Sequence, residues 1–344
     1  MKILFTSYEA LAILRGGPKT QLLQTKFELE KLGVKVDLFD MWESFNPAKY
    51  DLVHLFAANI STHSIARNLF PLKLPIVTSP IFFTQHSSLF IKSIIKSENI
   101  IKSIRPGFYT DYGITKQICD WSKHLLPNTI AEAKLISGGL GQSKNKITVV
   151  PNGVSERFLK SSKKLFKNKF GLDDFILFVG HIGPQRKNAL NLIKALQKID
   201  YPSVIIGRND NSQYAQQCIS ESKKSKNILM LDHIDNSSNL LASAFKCAKV
   251  FALPSLYETP GIAALEAGLA GAKIVITPFG GTKDYFKNFA QYVNPFDVDD
   301  IRKGIENKLN ETPNSDLQNH IKNNFLWKNV AEQTLEVYKS VLNK

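Results

Sequence analysis

The sequence predicts an α/β protein of two doubly wound domains that face each other across a cleft. The chain has 344 residues, which is long for one domain and sufficient for two. Short apolar runs alternate with segments of helical apolar period in both halves, a pattern typical of parallel sheets covered by helices. Because ligands of such sheets bind at the carboxyl ends of the strands, the cleft between the domains is the predicted site.

The first half begins with an apolar run at residues 2–5 that predicts a strand. Glycines and a proline break the chain at residues 16–18. Apolar spacing over residues 20–32 then predicts a helix that Gly33 ends. Alternation over residues 34–39 predicts a second strand, and this order indicates a parallel α/β unit. Further strands are predicted at residues 51–56, 75–78 and 147–150.

The second half opens with a basic stretch, residues 161–170, which we interpret as a loop-like linker. We place the first domain at residues 1–155 and the second at residues 156–327. The buried strands predicted in the second domain are residues 175–180, 203–207, 250–253 and 273–277.

The charge balance narrows the class of partner. Lys and Arg outnumber Asp and Glu by 44 to 30, a formal net charge of +14. Such an excess suits nucleic acid, an anionic membrane or a phosphorylated substrate, and it also occurs as charge spread over an ordinary surface. The chain has no zinc-finger spacing, RNP-type motif or basic-zipper heptads, so no nucleic-acid partner is predicted.

Cysteine usage and the N-terminus indicate the compartment. The three cysteines form no C-x-x-C pair, so buried thiols in a reducing compartment are expected rather than a zinc or redox site. The N-terminus lacks the pattern of a signal peptide, and no apolar stretch is long enough to cross a bilayer. We expect a cytoplasmic protein, either free or held peripherally on the inner face of the membrane. The cysteines are Cys119, Cys218 and Cys247.

A helix start is predicted within residues 253–268. Thr259 is a suitable N-cap, and Pro260 suits the first helical position. The backbone N–H groups of Gly261 and Ile262 would then lack partners inside the helix, and such a helix end attracts anions. Since Gly261 has no Cβ, a ligand could approach the backbone.

Two carboxylates, Glu258 and Glu266, stand eight residues apart around this helix start. Glu258 would lie in the loop before the helix, and Glu266 about two turns inside it. Acceptor-only side chains beside exposed amides suit a ligand rich in hydroxyls and phosphate. The alternative is an ordinary capped helix with two solvated glutamates.

A glycine-containing loop, residues 180–188, follows one predicted strand and precedes a helical run. Arg186 and Lys187 stand just before Asn188 at the start of that helix. Two cations beside glycines would form a cradle for phosphate groups. A loop with solvated basic side chains is the alternative.

These features resemble glycosyltransferase family four, whose members have the GT-B fold of two Rossmann-like domains and retain the anomeric configuration of the sugar. The spacing of Glu258 and Glu266 resembles its E-x7-E signature, in which the first Glu faces the donor sugar and the second holds the nucleotide ribose. Residues 180–188 resemble its diphosphate-binding loop. Lys187 matches the family lysine, and Arg186 would supply the charge of the usual arginine, whose place His181 occupies.

The resemblance extends to other segments. Gly16 and Gly17 match a loop over the donor diphosphate, although a plain turn is an alternative. Residues 151–154 match the P-N-G-V signature, and residues 279–284 match a glycine pair followed by an acid. The last segment, residues 328–344, matches a helix that crosses back onto the first domain, the alternative being a helix packed on the second.

The resemblance implies a hexosyltransferase that moves a hexose from a UDP- or GDP-sugar to a hydroxyl of a glycan, a lipid-linked sugar or a small molecule. Lys187 and Glu258 would be catalytic. The chain has no D-x-D motif and no histidine cluster, so we predict no metal and no cofactor besides the donor. The implied donor-binding residues are Gly16, Gly17, Arg186, Asn188, Gly261, Ile262 and Glu266.

Two departures from the family pattern keep other functions open. Thr259 and Pro260 replace a usual Gly-Phe pair, and Pro260 cannot donate an N–H. The histidine that many members carry near the donor sugar is absent from residues 78–81, although His86 follows. The alternatives are a non-catalytic nucleotide-sugar-binding or scaffold protein on the same fold, or a sugar-nucleotide epimerase.

One further segment bears on localisation. Residues 90–105 combine helical apolar spacing with four basic residues. Such a helix can lie on an anionic membrane surface, the alternative being a helix packed inward with its lysines in water.

Overall fold

A computed structural model describes residues 1–13 and 16–343 and divides the chain into two compact units. Unit 1 joins Met1–Gly153 to the terminal segment that begins at Trp327, and unit 2 is Val154–Leu326. The divisions fall close to the boundaries placed by sequence. They fall slightly earlier because Val154 already forms a parallel bridge with Leu326 in unit 2.

Unit 1 contains a parallel sheet in the strand order β2-β1-β3-β4-β5. Successive residues of β1 point into different cores: Ile3 packs with helices on one face, and Leu4 with helices on the other. Burial on both faces explains the nearly continuous apolar runs in the sequence. The strands are β1 (Lys2–Thr6), β2 (Lys35–Leu38), β3 (Leu52–Phe56), β4 (Ile76–Ser79) and β5 (His124–Leu125).

The first helix of unit 1 begins at Gly17, three residues before the predicted start, because Pro18 is accepted in the first helical turn. The third helix is fixed to the fourth by the buried Glu98, which accepts a 2.9 Å hydrogen bond from the backbone N–H of Thr110. The helices are α1 (Gly17–Lys31), α2 (Ile60–Leu69), α3 (Ser88–Ile104), α4 (Asp111–Trp121) and α5 (Ile130–Gly138).

Unit 2 contains a second parallel sheet in the order β11-β10-β9-β6-β7-β8. Two parallel Rossmann-like sheets confirm the predicted fold class. The strands are β6 (Phe175–Val179), β7 (Ser203–Ile206), β8 (Ile228–Leu231), β9 (Ala248–Leu253), β10 (Lys273–Ile276) and β11 (Gln291–Tyr292). The helices are α6 (Lys164–Phe170), α7 (Ala189–Leu196), α8 (Gln213–Ser222), α9 (Asn239–Cys247), α10 (Ile262–Ala270), α11 (Thr282–Phe286), α12 (Val298–Asn310) and α13 (Asp316–Asn324).

The last helix, α14 (Trp327–Leu342), packs against α1 and therefore belongs to unit 1. A buried hydrogen bond of 2.5 Å joins the hydroxyl of Tyr338 on α14 to Nδ1 of His54 on β3, and Nε2 of His54 lies 2.9 Å from Ser79 Oγ. Burial lowers the pKa of His54 to about 3, so the imidazole is neutral at physiological pH. This network ties the terminal helix to the sheet of unit 1.

Two predictions of local structure outside the two loops with charged residues were wrong. Residues 161–170 contain α6 rather than a loop, because Phe166 is buried among the aromatic residues of unit 2 while the lysines face outward. Residues 147–150 form no regular strand and only a single parallel bridge between Ile147 and Leu125.

Within the described ranges, no helix has the length and apolar character needed to cross a bilayer. The three cysteines are buried free thiols, as predicted.

Candidate functional site

The strand order of unit 2 identifies where a ligand would bind. From β6 the chain moves outward to β7 and β8, then returns to the other side of β6 to form β9 and β10. The loops after β6 and β9 therefore border the point where the strand order reverses, which is the usual binding position in open parallel sheets. These loops are residues 180–188 and 254–261, both singled out by the sequence.

Glu258 lies at the centre of this edge and is almost fully buried. Its Oε1 accepts hydrogen bonds from Lys187 Nζ at 2.6 Å and from Ser255 Oγ at 2.8 Å, and Arg186 Nη1 lies 3.4 Å away. Burial by itself would raise the pKa of Glu258, but the charges of Lys187 and Arg186 and the two hydrogen bonds outweigh it and hold the pKa below its ordinary value. The site thus holds an ionised carboxylate beside two cations.

Side chains of the first loop also donate hydrogen bonds to backbone carbonyls of the second loop. Arg186 Nη1 donates to the carbonyl of Tyr257 at 3.0 Å, and its guanidinium lies over the Tyr257 ring. Asn188, in the left-handed conformation, is buried and donates through Nδ2 to the carbonyls of Pro254 at 2.9 Å and Pro295 at 2.6 Å. Asn188 therefore supports the loops, and direct contact with a donor stays a prediction.

A third loop, which follows β10, closes on Glu258. The N–H of Glu258 donates to Phe279 at 3.1 Å, and the N–H of Gly281 donates to the Glu258 carbonyl at 2.8 Å. Gly280 has φ of +97°, and a Cβ built there would lie 1.9 Å from the Glu258 carbonyl oxygen. Gly280, the first glycine of the pair in residues 279–284, is therefore required for this loop to approach Glu258.

The helix after β9 begins later than predicted. Gly261 is the N-cap of α10, with φ of +70°, and Ile262 is the first helical residue, so neither Thr259 nor Pro260 holds its predicted position. A Cβ at Gly261 would point toward the side chains of Ile276 and Leu253, so the glycine serves the left-handed backbone rather than ligand approach. The first-turn amide of Ile262 has no acceptor within the helix and can bind an anion.

Glu266 lies just over one turn into α10, not two, and is buried. Burial raises its pKa to about 7, although the charge of Arg157 and a 3.4 Å hydrogen bond from Asn236 Nδ2 act in the opposite direction. Sequence reasoning missed Arg157, Asn236 and Ser255. None of the three stands in a pattern that local spacing would distinguish.

His181, in the loop after β6, is directed toward a carboxylate. Its Nε2 lies 3.2 Å from Asp210 Oδ2 without hydrogen-bond geometry. In the described part of the chain, no group of three or more His, Cys, Asp or Glu side chains is arranged to share a metal ion.

The glycine pair of unit 1 lies at the corresponding edge of the other sheet. Gly16 and Gly17 are exposed and begin α1, and the Gly16 carbonyl accepts a 3.3 Å hydrogen bond from Thr20 Oγ1. The preceding residues 14 and 15 lie outside the described ranges. Contact of this pair with a donor stays a prediction.

Unit 1 also contains an open cavity of about 660 Å³ at the carboxyl ends of β3 and β4. Its walls combine aromatic rings with hydroxyl, amide and carboxylate groups. His86 lies nearby, exposed, with Nδ1 2.7 Å from the hydroxyl of Tyr112. The lining includes Asn59, Phe82, Phe83, Thr84, Asp111 and Tyr112.

Known proteins resemble this chain in the sequence of its second unit and in its overall fold. Residues 160–325 match the family of glycosyl transferases group 1. An uncharacterized glycosyltransferase of Methanocaldococcus jannaschii is 29% identical over 218 residues, 57% of this chain and 54% of that protein. The chain spans about half the length of the curated relatives it matches.

Solved structures share the fold over nearly the whole chain. A sucrose-phosphate synthase of Thermosynechococcus elongatus matches with a TM-score of 0.78 at 17% identity, over 99% of both chains. Anabaena HepE in complex with UDP-glucose matches with a TM-score of 0.75 at 16% identity, over 99% of this chain and 100% of that one. The fold is therefore that of the GT-B glycosyltransferases, with two parallel-sheet Rossmann-like units.

Proposed function

We propose that this protein is a retaining hexosyltransferase of family four that uses a UDP- or GDP-sugar and transfers the hexose to a hydroxyl acceptor. The observation that carries the proposal is the cluster of Lys187, Arg186 and Glu258 where the strand order of unit 2 reverses, next to the first turn of α10. The match of residues 160–325 to glycosyl transferases group 1 and the structural likeness to a protein that binds UDP-glucose support it.

The chemistry proposed for the cluster is electrostatic. The diphosphate would lie against Lys187, Arg186 and the amide of Ile262, which stabilise the negative charge that grows as the sugar leaves. These groups would take the part that a metal ion plays elsewhere. Glu258 would accept hydrogen bonds from sugar hydroxyls, and the departing phosphate would help to deprotonate the acceptor.

The acceptor would bind on unit 1, at the cavity beside β3 and β4. Its aromatic rings, such as Phe83, suit the apolar face of a sugar ring, and groups such as Asp111 and Asn59 suit hydroxyls. A glycan or the sugar of a lipid-linked intermediate fits this mixed lining, so we place the protein in polysaccharide or glycolipid biosynthesis.

Binding measurements on the unmodified chain test the donor class. We expect UDP or GDP to bind at least about tenfold more tightly than its monophosphate, because the second phosphate gains a charge-assisted hydrogen bond from Lys187. Calorimetric titration with both nucleotides and both monophosphates measures this ratio. Equal affinity for diphosphate and monophosphate would contradict the proposed site.

A second candidate, a non-catalytic nucleotide-sugar-binding protein, is favoured by Pro260 and by the missing histidine in residues 78–81. It shares the predicted nucleotide affinity and differs only in turnover. Release of nucleotide from a bound UDP- or GDP-sugar in the presence of glycan or lipid-linked acceptors distinguishes the two. Tight binding without release across such a panel would favour the second candidate.

We also propose that α3 contacts an anionic membrane. Leu89, Lys92, Lys96, Ile100 and Ile104 are all exposed and, at about 100° per residue, share an arc of roughly 120° on the helix. Ile91 and Ile95, on the other side of α3, pack into unit 1. Cations interleaved with exposed apolar side chains suit the headgroup region of an anionic bilayer.

Vesicle binding tests this surface. Reversing the two charges with Lys92→Glu and Lys96→Glu is expected to lower binding to vesicles of phosphatidylglycerol and phosphatidylcholine by at least about tenfold, since each basic residue contributes about 1 kcal/mol. The control Lys322→Glu with Lys328→Glu makes the same charge change at exposed positions on other helices. Equal binding by the two double variants in a sedimentation assay would exclude α3 as the contact.

A further inference from the structure

Arg157 forms a set of contacts that the proposed reaction does not yet use. It lies in the single turn Glu156–Phe158 near the start of unit 2, with its guanidinium over the Phe158 ring. The guanidinium donates to three successive carbonyls, those of Ser237 at 3.1 Å, Ser238 at 3.3 Å and Asn236. One side chain thus holds three consecutive residues of a loop by their backbone carbonyls.

The loop held by Arg157 connects β8 to α9 and lies at the carboxyl edge of the sheet. Ser238 caps α9 by accepting the N–H of Leu240, so one end of the loop is fixed by the helix. Arg157 fixes residues 236–238 of the loop next to that end. The side chain of Asn236 then points at α10, where it donates to Glu266 Oε1 at 3.4 Å.

The charges of Arg157 and Glu266 also act on each other. Glu266 is buried, and Arg157 is the charged group that acts on its carboxyl; Asp235, in the loop, acts in turn on Arg157. Burial lowers the pKa of Arg157, while Glu266 and Asp235 raise it. The positive charge of Arg157 therefore favours the ionised form of Glu266, which can accept hydrogen bonds from a pair of hydroxyls.

We infer that Arg157 is a positioning residue for the nucleoside. It holds residues 236–238 against α10, so that Asn236 and Glu266 form one wall that receives the ribose hydroxyls. The inference rests on the proposed function and deepens it, since it adds the loop after β8 to the donor site and makes the 2′-hydroxyl a recognised group.

The test compares ribonucleotides with their 2′-deoxy counterparts. In the unmodified chain, UDP or GDP should bind at least about tenfold more tightly than dUDP or dGDP, because the deoxynucleotide lacks the 2′-hydroxyl that would donate a hydrogen bond to the charged Glu266. Arg157→Gln should bring this affinity ratio close to one by weakening ribonucleotide binding, while the affinity for the deoxynucleotide changes by less than about twofold. Asn236→Ala, which leaves the loop backbone bonded, should give the same pattern.

The pH dependence of the ratio of ribonucleotide to deoxynucleotide affinity distinguishes a positioning role of Arg157 from a purely structural one. Titration of the phosphates affects both affinities equally and cancels in the ratio. The ratio should rise as Glu266 ionises near pH 7, and Arg157→Gln should move this rise to higher pH because it removes a charge that lowers the carboxyl pKa. Arg157→Lys, which keeps the charge, should restore the midpoint. Arg302→Gln on α12, which breaks an ion pair with Glu306, is the control and should change neither quantity.

Different failures are distinguishable. If the unmodified chain binds neither UDP nor GDP, the proposed function is contradicted and the inference falls with it. If it binds them, but Arg157→Gln weakens ribo- and deoxynucleotides equally or leaves the midpoint unchanged, the inference alone is overturned. Thermal unfolding of each variant shows whether an equal loss comes from a destabilised unit 2.

Discussion

Replacing Glu258 with glutamine is expected to lower the rate of sugar transfer by at least about a thousandfold while the chain stays folded. The buried carboxylate accepts hydrogen bonds from Lys187 and Ser255 and faces Arg186, so it places both cations where the diphosphate would leave. Loss of one preorganised electrostatic group in a transition state costs about 10²–10³ in rate, and here the donor and its cations are disturbed together. Lys187→Met should cause a loss of similar size.

Stability has to be measured alongside rate. Breaking a buried ion pair by removing one partner costs about 3–5 kcal/mol, because the other charge is left without compensation. The double variant Glu258→Gln with Lys187→Met removes both charges and should recover most of that stability without recovering transfer. Transfer at the unmodified rate in either single variant would reject the assignment.

A matched ion pair provides the control. Lys308 and Glu311, at the end of α12, form a 2.5 Å pair in the same unit, and Lys308 is buried. Lys308→Met removes a cation from a comparable environment away from the loops after β6 and β9. It should lower stability and leave the transfer rate within about twofold, the range expected away from the chemistry.

The second large effect is expected from Gly280→Ala. The new Cβ would lie 1.9 Å from the Glu258 carbonyl oxygen at a residue with φ of +97°, so either the loop after β10 moves or Glu258 does. We expect a loss of about 3 kcal/mol in the free energy of unfolding of unit 2, together with a weakened donor affinity.

Gly271→Ala measures the cost of a side chain at a positive φ without a steric clash like that at Gly280. Gly271 also has a positive φ, +105°, but the nearest atom to its Cβ would be 3.7 Å away. It should therefore cost only about 1 kcal/mol, the ordinary penalty for a side chain in the left-handed region. Equal costs at the two glycines would show that the contact with Glu258 contributes nothing.

Calorimetry and hydrogen exchange of α10 are the suitable measurements for these glycine variants. All three tryptophans, Trp42, Trp121 and Trp327, lie in unit 1. Tryptophan fluorescence therefore follows unit 1 and serves as an internal control, which should not change in either variant.

Local patterns predicted most of the strands but misjudged segments whose burial depends on a few residues. The runs that became β1, β3, β6 and β9 are apolar because both faces of each sheet are covered. The basic segment of α6 read as a linker because its lysines outnumber the buried Phe166 that holds the helix. The strand β8 went unpredicted although its four residues are all apolar, and the structure places it half-buried at the edge of the sheet.

The candidate site was likewise predicted in part from local patterns and decided in part by tertiary contacts. Lys187 and Glu258 were identified from sequence as separate members of two loops, but their ion pair joins positions 71 residues apart. Asn188 was predicted to bind the donor, which stays a prediction, but its support of the loops through the carbonyls of Pro254 and Pro295 could not be inferred from the sequence. The N-cap of α10 is Gly261 rather than the predicted Thr259. The left-handed backbone of Gly261 could not be inferred from Thr259 and Pro260.

The sequence by itself determined the parallel α/β class, the positions of most strands and the two loops that carry the charged residues, because apolar period, glycines and charge spacing act over a few neighbouring residues. Only the tertiary structure decided that Ser255, Arg186 and Lys187 converge on Glu258, and that Arg157 holds the loop from which Asn236 contacts Glu266. Those partners meet because the strand order brings distant loops to one edge of the sheet, and strand order depends on packing across the whole unit.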